Sequence, residues 1–206
     1  MLTLIRRELY DHISYLILAL LVSFIIIGMM ILLVLWDMPE ASFALATFVA
    51  VGLLGVFCIF GAAQMYGDRA NRVSSLLATL AVTRSRILAA RVIAGAIVVL
   101  LSFLPVAIVA LALLHALVPP LSFYWRMILE VGATAVLLGF ACYCAGLSIG
   151  WTSNKVLLVV TLLLLYVLIV PLFLVKGFGI EAIVILLLLV AAMLLRTWKS
   201  YTTASL

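Results

Sequence analysis

Charge is the property this sequence has least of. Only 9% of its 206 residues are Asp, Glu, Lys or Arg, where an ordinary soluble domain carries roughly a quarter. With 69% of residues hydrophobic and a mean hydropathy of +1.50, a water-soluble core is excluded and the chain belongs in a bilayer. Acids are the rarer sign, seven in all, and none are clustered to hold magnesium. The two histidines, His12 and His115, lie in or beside polar segments and form no His-Glu-x-x-His zinc motif. No Gly-rich loop ending in Lys is present to cradle a nucleotide, and no Ser-centred glycine motif with a partnered His marks an intramembrane protease. Cys58, Cys142 and Cys144 all fall in apolar runs. Cys142 and Cys144 are two apart and point in different directions on a helix, which makes them a poor metal pair. They read as small buried apolar residues. The chain itself is therefore expected to hold no catalytic residue, metal or cofactor.

What the sequence has in abundance is apolar length. Six runs, at 14–36, 42–66, 92–114, 127–151, 156–175 and 177–195, approach the roughly 20 residues that cross a hydrocarbon core of about 30 Å. The expected fold is all-α, a polytopic membrane protein forming a single domain over 1–206 with six transmembrane helices. The first run is longer than the roughly 7–15 apolar residues of a secretory signal, and Glu8 and Asp11 precede it. It is expected to remain as a span. The last run is the weakest, because Glu181 near its start leaves only 182–195 uninterrupted. It is read as a span with either a clean crossing or a re-entrant or broken beginning.

Residues 1–13 are two-faced. Leu2, Ile5, Leu9 and Ile13 recur at helical spacing, while Arg6, Arg7, Glu8 and Asp11 occupy the rest of the wheel. This suits a helix lying in the membrane interface, or the frayed start of the first span. Basic residues then set the orientation. Ten of the twelve Lys and Arg residues fall in alternate polar segments: the N-terminus, 67–91, Lys155 and the C-terminus. Arg126 and Lys176 alone lie on the other side. The enrichment of cytoplasmic loops in Lys and Arg places both termini and the 67–91 loop in the cytoplasm. Trp36, Tyr66, Tyr124, Trp125, Trp151 and Trp198 lie near span ends, as interfacial anchors do.

Polar side chains inside the runs are few. Glu130 follows Arg126 by four residues, so the two can pair along one helix face, as a structural pair near the outer interface or a charged lip on an exit path. Gln64 is the other strongly polar residue within a span. Gly132, Gly139 and Gly146 repeat every seven residues, and Gly146 and Gly150 form a small-xxx-small pair. Such a stripe admits a close helix, whether within one subunit, at a subunit interface or along a conduit. Pro105 and Pro171 invite kinks.

The longest polar interruption is 67–91. Val73, Leu76, Leu77 and Leu80 follow i, i+3, i+4, i+7, with Arg69 and Arg72 off that stripe, so a short amphipathic helix is expected. Thr83 is placed to cap a second helix beginning near Arg84. The amphipathic helix suits contact with a soluble partner, or with anionic lipid at about 1 kcal/mol per basic residue.

From Leu76 to Arg91 the loop resembles that of type-2 ATP-binding-cassette (ABC) exporter permeases. Val82-Thr83-Arg84, Ile87-Leu88 and Arg91 match the second half of the family pattern, while Ala81, Arg72, Ser75 and Ala90 depart from it. The stretch from Gly146 to Leu158 and the run ending at Pro171 are similar to the same family's turn between its fourth and fifth spans, particularly in the B subunits of cytochrome c-maturation haem exporters. Arg6-Arg7-Glu8-Leu9 resembles its N-terminal interfacial helix. The resemblance implies an inner-membrane permease that hydrolyses nothing itself. Separate cytoplasmic ATPase subunits, holding ATP and magnesium, would seat on a coupling helix at Val73, Leu76, Leu77 and Leu80 flanked by Arg72 and Arg84. A second permease copy, or a similar permease, would complete the pathway. No nucleic-acid partner is implied. The alternative from the residues alone is a non-transporting scaffold or assembly subunit whose basic loop holds lipid or a partner protein. An intramembrane enzyme would need a polar catalytic set that the sequence does not display.

Overall fold

In lipid, a backbone N–H or C=O has no water to bond, so long apolar runs wind into helices that satisfy those groups internally. The computed structural model describes residues 2–11, 13–36, 39–70, 84–117, 122–150 and 180–203, and these are helical throughout. The helices are α1 (Leu2–Asp11), α2 (Ile13–Trp36), α3 (Pro39–Ala70), α4 (Arg84–Leu117), α5 (Ser122–Gly150) and α6 (Ile180–Thr203). The expected loop helix carrying Arg72, Val73, Leu76, Leu77 and Leu80 lies outside the described residues, as do the 156–175 run, Lys155, Lys176 and Pro171.

Among the described residues, four stretches are long and apolar enough to cross a membrane: Ile13–Leu32, Ser85–Leu113, Leu129–Gly150 and Ile180–Tyr201. They correspond to the expected first, third, fourth and last spans. The second run lies within α3, which continues unbroken from Pro39, a residue suited to a helix's first turn. α4 runs on through Pro105. From Ile180 onward the last run is one continuous helix, and residues 177–179, where a broken beginning would start, lie outside the described residues. Glu181 sits in the first turn of α6, where a carboxylate faces the positive end of the helix dipole and favours the helix instead of interrupting it.

α5 is the centre of the bundle. It packs against α3, α4 and α6, and α2 lies across α3 and α4. In its membrane-length stretch 61% of residues are buried, against 11%, 17% and 22% in those of α2, α4 and α6. The outer helices expose apolar stripes at helical spacing, Ile17, Leu21 and Phe24 on α2 and Leu100, Leu104 and Ile108 on α4. Such faces suit acyl chains. Lipid tails are as apolar as leucine, so burying these faces would do little to hold the helices together. Close packing and polar links must do it.

Both are visible. A Cβ on Gly146 would strike the Cys58 carbonyl, one on Gly61 the Tyr143 carbonyl, and one on Gly150 the Ala62 carbonyl. α3 and α5 therefore touch backbone to backbone. An aromatic series from Tyr15 through Phe60 and Tyr143 to Phe140, with ring centroids 5.7, 5.5 and 6.0 Å apart, ties α2, α3 and α5. The hydroxyls of Ser23, Ser102 and Thr197 donate to the carbonyl four residues earlier in their own helices, at 2.8 Å in each case. Buried in an apolar interior, they find partners without leaving the helix.

A buried polar joint as the candidate functional site

The described residues place their most costly buried group, the Arg91 guanidinium, where three helix ends and α1 converge. Arg91 lies two turns into α4 and its side chain is 2% exposed. A cation removed from water needs a partner of opposite sign. Glu8 of α1 supplies it: Arg91 Nε donates to Glu8 Oε1 at 3.2 Å, and the Glu8 side chain is itself only 17% exposed. Arg91 Nη1 also approaches Met65 Sδ on α3 at 3.5 Å. The pair fastens α1, 83 residues away in the chain, to the start of α4.

Tyr143 of α5 carries the joint to the centre of the bundle. Its ring lies where a Cβ on Gly95 would be. Gly95 is one turn beyond Arg91 on the same face of α4, so only a residue without a side chain lets the ring approach. The phenol oxygen then stands 2.9 Å from the Arg91 carbonyl and 2.6 Å from Gln64 Oε1 on α3. A phenol has one proton and cannot donate to both. Gln64 Nε2, in turn, is buried with no hydrogen-bond partner. Rotating the Gln64 amide by half a turn resolves both difficulties. The amide N–H then donates to the phenol oxygen and the phenol donates to the Arg91 carbonyl. The result is a polar link from α3 through α5 to α4 and, by the ion pair, to α1.

The expected site residues divide around this joint. Glu8 is at its centre. Arg6 and Arg7 are exposed on α1, where Arg7 also pairs with Asp11 at 3.4 Å. Arg84 is the first residue of α4. Gly139 packs against the rings of Phe57 and Phe103, and Gly146 against the backbone of α3. Gly132 departs from that stripe: it is exposed, with nothing within 4 Å of its would-be Cβ. An ideal helix drifts about 20° per seven residues, and the close approach of α3 lies at the Gly146–Gly150 end, so Gly132 is left outside the contact. Arg126 and Glu130 lie one turn apart on α5. The sequence alone offers no role for Tyr143, Gly61 or Gly95, and places Arg91 in the loop and its family-like pattern without a partner. One signal was available. Arg91 heads an apolar span, and few acids share its side of the membrane.

Chemically the joint offers a guanidinium, a carboxylate, a phenol and an amide, all engaged in holding helices together. Among the described residues no three His, Cys, Asp or Glu side chains are grouped to hold a metal ion. The arrangement is suited to transmitting displacement between α1, α3, α4 and α5. No protein-family model and no curated protein matches the chain.

Proposed function

We propose that this chain is the transmembrane permease subunit of an ABC transporter of the type-2 exporter class. In this reading it forms six spans in the inner membrane with both termini in the cytoplasm, and pairs with a second copy or a similar permease. Separate ATPase subunits dock from the cytoplasm on the 67–91 loop, through Val73, Leu76, Leu77 and Leu80 flanked by Arg72 and Arg84. ATP and magnesium belong to those subunits.

The observation that carries the reading is the Glu8–Arg91 pair. Arg91 closes the stretch that resembles a coupling loop, and the pair joins it to the N-terminal helix that resembles the same family's interfacial helix. A push on the loop would therefore reach α1 and α4 together, and Tyr143 and Gln64 would pass it to α5 and α3. The lipid-facing outer helices leave the centre of the bundle as the part that such a push would rearrange.

The test is co-purification from native membranes under mild detergent. The parent chain is expected to bring with it a subunit carrying a Gly-rich phosphate loop, and L76D/L77D is expected to lose that subunit while remaining in the membrane. Equal recovery with both chains would remove the coupling role. Absence of any ATPase would favour the scaffold reading.

A further inference from the structure

At the end of the bundle that holds the joint, most of the exposed charge among the described side chains is basic. Arg6 and Arg7 lie beside Glu8 on α1, and Arg86 lies five residues before Arg91 on α4, all three exposed. On α6, Met193 meets Ser148 near the end of α5 at 3.9 Å. Arg196 and Lys199, both exposed, follow within about 9 Å along the helix axis. Of the acids described at this end, Glu8 is held by Arg91, and exposed Asp11 pairs with Arg7 and offsets one of these five exposed cations.

Aromatic side chains stand among these cations. Tyr10 is 75% exposed, and Tyr66 and Trp198 are also exposed. Immediately beyond them begin the exposed apolar faces, at Ile17, Ile93 and Leu195. Cations and aromatic rings are therefore interleaved where the exposed apolar faces end: Arg7 and Tyr10 precede Ile17, Tyr66 follows Ile59, Arg86 precedes Ile93, and Arg196, Trp198 and Lys199 follow Leu195. That border is the level of a lipid's glycerol and phosphate, where aromatic rings also gather. A soluble protein partner would account for the cations but not for their continuity with the apolar belt.

We infer that this girdle, formed by α1, α4 and α6, binds the headgroups of anionic phospholipids. The inference stands apart from the permease reading and uses none of Arg72, Val73, Leu76, Leu77, Leu80 and Arg84, on which that reading seats the ATPase. Its test is native mass spectrometry of the full chain in detergent, offered phosphatidylglycerol and phosphatidylcholine of matched acyl chains. Phosphatidylglycerol is expected to be retained in preference. In R6Q/R7Q/R196Q its retention is expected to fall by about fivefold per charge removed, with phosphatidylcholine unchanged. The charge-retaining R6K/R7K/R196K chain is expected to keep the preference. Equal retention of the two lipids, a preference that survives R6Q/R7Q/R196Q, or its loss in the lysine variant would each overturn the inference. So would displacement of phosphatidylglycerol by excess inorganic phosphate, which would mark a site for free anions.

Discussion

A buried arginine makes its surroundings depend on a partner of opposite charge. Arg91 has given up water, and the carboxylate of Glu8 is the partner of opposite charge at its Nε. Removing one member of such a pair costs about 3–5 kcal/mol, because the remaining charge is stranded, whereas replacing both with apolar groups is often nearly neutral. E8Q is accordingly expected to lower the thermal midpoint in detergent sharply, and E8L/R91M to recover much of the loss. Equal losses in the single and double variants would mean that packing, not charge, holds α1 in place. The sequence showed both residues but not their relation. Helical spacing reveals which residues share a face within one segment, and nothing in it joins position 8 to position 91. Tyr143 was still less visible, since a tyrosine in an apolar run looks like any other aromatic until Gly95 on another helix makes room for its ring.

At the scale of elements, the apolar runs foretold the helices well because length and hydropathy are local properties. α2, α4, α5 and α6 fall where four of the runs lie. The same kind of information leaves the last run open between a clean and a broken beginning. A charge counts against a span when it lies mid-membrane, but Glu181 is at a helix start, where the dipole welcomes it. The glycine stripe is legible in the sequence as a surface for a close helix, but not which helix. Its partner surface, Gly61 and the Cys58 and Ala62 backbone on α3, has no matching seven-residue repeat. The contact makes a sharp contrast between two chemically identical substitutions. G146V forces a branched side chain into the α3 backbone, and is expected to cost several kcal/mol, at the upper end of single substitutions. G132V meets open space and is expected to stay within about 0.5 kcal/mol of the parent. Urea or thermal titration of the two variants in the same micelle distinguishes them, and equal destabilisation would contradict the α3–α5 packing.

At the scale of the whole molecule, several described features share one end of the bundle. That end holds α1, the joint, the exposed Arg6, Arg7, Arg86, Arg196 and Lys199, and the exposed Tyr10, Tyr66 and Trp198, and α3 and α4 approach the 67–91 loop from it. An apparatus driven from one side of a membrane requires such a division between a contact end and a lipid-embedded body. The proposed permease assigns the loop stripe to an ATPase and the girdle to lipid, so the two surfaces have different partners. The most direct measurement places a photoreactive amino acid at position 77 in the full chain, illuminates native membranes and identifies what is attached. The account predicts a cross-link to a subunit bearing a Gly-rich phosphate loop, lost when the photoreactive group is moved to exposed Leu188 on α6. Cross-links at position 77 to lipid alone, or to a protein without a nucleotide-binding loop, would contradict it.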